Sequence, residues 1–153
     1  ADFAKLHLGS NLERIVRTSR RPILIATRNY RPIRRVLIAF DGRTSAMKAV
    51  DDVARSPLYA GLASELLFAG TPDDDQRRKL EAAATQLRAG GLTAEIRTEP
   101  GEPAQVIGGA VEEGGDQMLV MGAYAHSRLR SLVIGSTTTE LIRTCKLAIM
   151  IYR

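Results

Sequence analysis

From Arg35 to the C-terminus, two kinds of hydrophobic spacing alternate along the chain. Residues 35–40 (RVLIAF) form a continuous apolar run, the pattern of a strand buried on both faces. In residues 41–56 (DGRTSAMKAVDDVARS) turn formers give way to Ala46, Ala49, Val50 and Val53 at helical intervals, which predicts an amphipathic helix. Residues 64–70 (SELLFAG) predict a second strand. Residues 71–91 predict a helix that Pro72 and a run of aspartates open and Gly90-Gly91 close. The alternating stretch 92–100 (LTAEIRTEP) reads as a half-buried edge strand, and 101–115 as a helix with Pro103 in its first turn and a weak point at Gly108-Gly109. A strand at 116–123 (DQMLVMGA), a polar loop, a helix from about Ser136 and a last strand at 147–152 complete the series. Alternation with crossovers of this length predicts an α/β fold, a parallel sheet with helices on both faces. Ligands of such sheets lie beyond the carboxyl ends of the strands, where the strand order reverses. The first strand runs into Asp41-Gly42 and the fourth into Gly122, so a candidate site lies between them.

The segment before Arg35 repeats the end of the chain. Residues 8–27 (LGSNLERIVRTSRRPILIAT) and 134–153 (IGSTTTELIRTCKLAIMIYR) align at a constant offset of 126. The identities are Gly9/Gly135, Ser10/Ser136, Arg17/Arg143, Thr18/Thr144, Ile23/Ile149 and Ile25/Ile151. Leu12, Ile15 and Val16 share a helix phase with Thr138, Leu141 and Ile142. The stretch therefore reads as the closing helix and strand of another such domain, with 1–28 its remnant, 29–34 a linker and 35–153 the domain that follows. A lone helix and strand cannot bury their apolar faces. Residues 22–26 are accordingly expected to dock on the edge formed by 147–152, or on a second chain.

Composition narrows the class. A chain of 153 residues, 44% hydrophobic and 25% charged, suits one domain with an ordinary core. No apolar run approaches the roughly 20 residues of a membrane span, and no signal-peptide pattern is present. The single cysteine, Cys145, cannot close an internal disulfide, and a cytoplasmic protein with a buried thiol is the expectation. The net charge of +5 is concentrated in residues 1–35, where nine basic side chains face only Asp2 and Glu13. No aromatic residues interleave with these arginines, so solvated surface is favoured over a nucleic-acid face. His7 has no companion at metal-ligand spacing, and Asp116 reads as a turn cap.

Candidate chemistry gathers in residues 120–138 (VMGAYAHSRLRSLVIGSTT). A strand ends on Gly122, a loop carries His126, Arg128 and Arg130, and Gly135-Ser136-Thr137 opens a helix. Glycine lets backbone N–H groups approach an anion, a helix N-terminus supplies unpaired donors, and the Ser136 and Thr137 hydroxyls can donate to phosphate oxygens. The same residues also suit an ordinary helix N-cap, and His126 and Arg128 suit either phosphate neutralisation or solvated loop positions. Neither a P-loop nor a nucleophile–base pair is recognisable.

Residues 35–153 resemble a universal stress protein domain. The shared blocks are a strand ending in Asp-Gly (VLIAFDG), a Gly-x-Pro before the third helix (GEP), a strand ending in Met-Gly (LVMG), and a closing Gly-x2-Gly-x9-Gly-Ser/Thr signature for ATP. The resemblance implies an open five-stranded parallel sheet in the order 3-2-1-4-5, of the adenine nucleotide alpha hydrolase-like kind, and a homodimer or tandem-domain partnership through the last strand. It implies an ATP-binding regulatory module in the stress response, with Mg2+ accompanying the nucleotide and at most very slow hydrolysis. The alternative within the same family is an interaction protein that holds no nucleotide and acts through oligomer surfaces. Carried over by position, Asp41 would meet ribose and adenine, Ala39 and Ala69 would line the base pocket, and Met121 would precede the phosphate cradle of Gly122, Gly135, Ser136 and Thr137. His126 and Arg128 would flank it. Two positions depart from the pattern: Ala125 stands at the second glycine of the signature, and Arg43 stands where Asp-Gly is usually followed by serine.

Overall fold

The computed structural model describes residues 11, 14, 15, 18–27, 29–115, 117–122 and 147–153. In chain order they form β1 (Ile23–Ile25), β2 (Arg35–Ala39), α1 (Thr44–Arg55), a 3-10 turn (Pro57–Tyr59), β3 (Ala63–Ala69), α2 (Asp74–Ala89), β4 (Thr93–Glu99), α3 (Pro103–Glu113), β5 (Gln117–Gly122) and β6 (Ala148–Tyr152). Local chemistry sets the helix limits. Asp73 caps α2 by accepting from the Gln76 N–H at 2.8 Å, while Gln76 Oε1 accepts from the Asp73 N–H at 2.9 Å. The helix α3 starts on Pro103, whose missing N–H costs nothing there. Its last carbonyls, Ala110 and Val111, accept from the buried Gln117 Nε2 at 3.2 and 3.1 Å, so β5 itself supplies the C-terminal cap. Gly108 and Gly109 leave α3 continuous.

The expectation of a five-stranded, wholly parallel sheet requires correction. The sheet has six strands in the order β1-β6-β5-β2-β3-β4. β2 to β6 are mutually parallel, and β1 adds to β6 antiparallel, which makes the sheet mixed. The physical reason is the repeated end of the chain: β1 is an apolar Ile-Leu-Ile segment that reaches the otherwise open edge of β6. Its register is Ile23↔Ile151, Leu24↔Met150 and Ile25↔Ile149, the docking expected for residues 22–26.

Helices cover both faces. On one side α1 (Ala46, Ala49, Val50, Val53) and α2 (Leu80, Ala83, Ala84, Leu87) pack on Val36, Ile38, Leu66, Met118 and Met150. On the other, Val106, Ala110 and Val111 of α3 pack on Leu37, Leu67, Leu119, Ile149 and Ile151, with Ile23 and Ile25 at the margin. The central strand β5 is buried along its whole length, as its unbroken apolar run requires. A buried polar contact ties α1 to β6. The Tyr152 hydroxyl donates to Asp52 Oδ2, and the Tyr59 and Tyr152 hydroxyls lie 3.4 Å apart.

Candidate functional site

The strand order reverses beside β2: β3 lies on one side of it and β5 on the other. Their carboxyl ends open on a cavity of about 180 Å³. It is lined by Ala39 from β2, Ala69 from β3, Met121 and Gly122 from β5, and Asp41 and Arg43 from the turn between β2 and α1. Ser45, Gln76, Pro103 and Ile107 are also part of the wall. Ala39 and Ala69 hold the slot open where larger side chains would fill it.

The turn after β2 places Asp41. Gly42 takes φ +78°, a conformation that side chains with a Cβ avoid, and this folds the chain so that the Arg43 N–H donates to Asp41 Oδ1 at 2.9 Å. The other oxygen, Oδ2, is shut from solvent and accepts no hydrogen bond. Among the described residues the cation paired with it is Arg43, whose Nε stands 3.9 Å away, beyond hydrogen-bond reach. A desolvated carboxylate oxygen with an unmet acceptor is costly to a fold, and a bound ligand, a water or a reacting group is what ordinarily offsets that cost. On the other flank, Gly122 touches the first turn of α1. A Cβ there would stand 2.9 Å from Ser45 Cβ and closer still to its hydroxyl. This glycine answers to close approach of strand and helix, and its backbone thereby stays open to the cavity. The arrangement sets an apolar wall beside a carboxylate, a group that accepts from hydroxyl or amine donors.

Of the residues the sequence singled out, Ala39, Asp41, Ala69, Met121 and Gly122 meet at this one cavity. Ala125, His126, Arg128, Gly135, Ser136 and Thr137 lie outside the described residues, as do Arg130, Cys145, His7 and Asp116. Ser45, Gln76 and Ile107 were not anticipated. Ser45 was findable as the second residue of a helix that follows the Asp-Gly turn, whereas Gln76 and Ile107 arrive from other helices by tertiary packing. A larger cavity of about 990 Å³ lies at the amino ends of β5 and β6, beneath residues Thr27 and Tyr30–Ile33. It is lined mainly by apolar groups such as Leu24, Leu58, Met118 and Met150, and it lies away from the carboxyl ends where parallel sheets place their chemistry. Among the described residues no cluster of His, Cys, Asp or Glu could hold a metal ion, and no helix is long and apolar enough to cross a membrane.

The universal stress protein family profile matches residues 52–153. The chain belongs to the universal stress protein family. A universal stress protein of Synechocystis sp. is 34% identical over 155 residues, an alignment that takes in 100% of this chain and 54% of that protein. The chain thus spans about half the length of that relative. Among solved structures, a universal stress protein from Archaeoglobus fulgidus superposes with a TM-score of 0.72 at 22% identity, covering 99% of this chain and 56% of that one. A universal stress protein described in complex with cAMP superposes with a TM-score of 0.63 at 22% identity, covering 80% of this chain and 98% of that one. At these identities the structural likeness speaks for the universal stress protein fold.

Proposed function

We propose that this universal stress protein is a regulatory module that binds an adenine nucleotide, ATP with its Mg2+, in the cavity at the carboxyl ends of β2, β3 and β5. The observation that carries the reading is Asp41 in the wall of that cavity, its Oδ2 desolvated and without a hydrogen-bond partner. In this reading Asp41 accepts from the ribose hydroxyls, the base lies by Ala39 and Ala69, and Met121 and Gly122 lead toward the phosphates. Sequence alone assigns Gly135, Ser136 and Thr137 to the phosphate cradle, with Ala125, His126 and Arg128 in the loop before it. The description of a family member as a cAMP complex supports the ligand class. Saturating ATP·Mg2+ should raise the unfolding temperature, since a ligand at about 100 times its Kd adds about 2.7 kcal/mol. Asp41→Asn keeps an oxygen for the Arg43 N–H but turns a donor toward the ligand, and should weaken binding about tenfold or more by calorimetry. No response of the wild type to ATP, ADP, AMP or cAMP would instead favour action through oligomer surfaces alone.

We further infer that residues 1–28 are the closing helix and strand of a preceding unit of the same fold, and that 35–153 is the unit after it. The β1–β6 register supports this. Under the 126-residue offset Leu24 is equivalent to Met150, and these two residues pair with each other. Ile23 and Ile25 pair with Ile151 and Ile149, each the equivalent of the other's partner. The pairing is therefore two-fold symmetric about Leu24·Met150, as expected where the last strands of two like units meet. That the chain covers only 54% and 56% of two longer relatives agrees. Nucleotide binding beside β2 and β5 would then be communicated to a neighbouring unit across β6.

A further inference from the structure

The residue after the Asp41-Gly42 turn has no role in the function proposed so far. Arg43 is the N-cap residue of α1, yet its side chain makes no capping hydrogen bond there. Half exposed at the mouth of the cavity, the side chain leans toward Asp41, with Nε 3.9 Å from Oδ2. At that distance it offers the carboxylate charge but no hydrogen bond, so neither group has its bonding capacity met by the other. The backbone N–H of the same residue already orients Asp41 through Oδ1. The positive head thus stands at the mouth of the cavity, beside a carboxylate that the backbone N–H of the same residue already orients. A guanidinium is a rigid fork of donors suited to phosphate oxygens, on a stem long enough to swing through the mouth of the cavity.

We propose that Arg43 is a specificity-determining residue of this site: it engages a phosphate attached to the sugar that Asp41 holds, so that the cavity selects nucleotides over nucleosides. The proposal rests on the nucleotide reading of the same cavity. Asp41 and Arg43 divide the ligand between them, the carboxylate accepting from the diol and the guanidinium donating to the adjacent anion. A neutral side chain at position 43 would leave the sugar contact in place and remove the contact to the phosphate.

Calorimetry on the full 153-residue chain with adenosine, AMP and ATP separates these contributions. The wild type should prefer AMP to adenosine. Arg43→Ser should reduce that preference about tenfold, the worth of one charge-assisted hydrogen bond, while the adenosine affinity stays within about twofold. Arg43→Lys should restore part of the preference, since a point charge replaces the fork. The AMP preference of the wild type should also fall with added salt, and that of Arg43→Ser should fall less. Equal losses for adenosine and AMP in Arg43→Ser would overturn the proposal and reassign Arg43 to positioning Asp41, with the nucleotide reading intact. An unchanged preference would likewise overturn it. If the wild type binds none of the three ligands, the nucleotide reading falls and this proposal falls with it.

Discussion

Tyr152 shows how one buried hydroxyl sets a pH limit on this fold. The side chain is 4% exposed, and burial, reinforced by its hydrogen bond to Asp52, pushes its pKa far above the ordinary tyrosine value. Burial pushes Tyr59 up as well, in part opposed by its hydrogen bond with Tyr152. The sign follows directly. With a folded pKa above the unfolded one near 10, the contribution is complete below pH 10 and is lost as the pH rises beyond it, because only the unfolded chain then ionises freely. Urea titrations between pH 8 and 11 should show stability falling above about pH 10, by up to about 1.4 kcal/mol per pH unit for Tyr152 alone. Tyr152→Phe should flatten that slope and cost about 1 to 2 kcal/mol at neutral pH, for the lost bond to Asp52. An equal alkaline slope in the variant would show that the titrating group lies elsewhere. Asp75 behaves in the opposite sense: Lys79 and then Arg78 hold its carboxyl below the usual range, so its small, solvent-screened contribution fades only as the pH falls into the acid range.

At the scale of elements, the approach of β5 to α1 is the contact that couples packing to the candidate site. Gly122 is required there by contact with Ser45, its neighbour across the strand–helix boundary. Gly122→Ala should therefore cost about 1 to 3 kcal/mol by overpacking and should weaken nucleotide binding, because α1 carries the turn that holds Asp41. Ser45→Gly in the same chain should recover part of the loss, and the two changes should be coupled in a double-mutant cycle. A Gly122→Ala chain as stable as wild type in urea would dismiss the contact. This pair also illustrates what was legible in advance. Gly122 was recognisable as special from the sequence, since it ends an apolar strand, but the phosphate cradle was its assigned reason and Ser45 is an additional one. Strands β2 to β6 were legible to within a residue or two: buried strands write apolar runs, as in 118–122 and 148–152, and the edge strand β4 writes an alternation. The turn formers that open 41–56 and the helix behind them were equally legible: Asp41 spends one oxygen on the Arg43 N–H, which holds the turn ahead of Thr44, and Ala46, Ala49, Val50 and Val53 form the buried face. The cavity beneath Tyr30–Ile33 had no sequence signature, since it depends on the path that the chain takes between β1 and β2.

At the scale of the molecule, the two-fold register at Leu24·Met150 makes a demand that the chain by itself leaves unmet. Equivalent positions on the two strands should have equivalent surroundings if each strand closes a like unit. They do not. Met150 is 8% exposed beneath α1, whereas Leu24 is 52% exposed. Tyr152 is buried against Tyr59 and Asp52, whereas its counterpart Ala26 is exposed. Leu58 of the 3-10 turn, 65% exposed, faces the same open groove. Leu24 and Ala26 thus stand exposed on the face of β1 that, under the proposal of a preceding unit, a first helix and 3-10 turn of that unit would cover. Any coding sequence found ahead of Ala1 would test this directly. Ala1 corresponds to Ser127, so a strand ending in glycine should stand five residues before it, as Gly122 stands five before Ser127. An upstream sequence without strand–helix alternation and without that glycine would dispose of the idea. Stability supplies an independent measure. In the 153-residue chain, Leu24→Lys should cost less than about 1 kcal/mol, against about 2 to 4 for Met150→Lys. In a polypeptide that carries the preceding unit the two costs should converge, because both side chains would then lie under a helix. A Leu24→Lys penalty that stays small in that longer polypeptide would mean that the symmetry of the register ends at the strands.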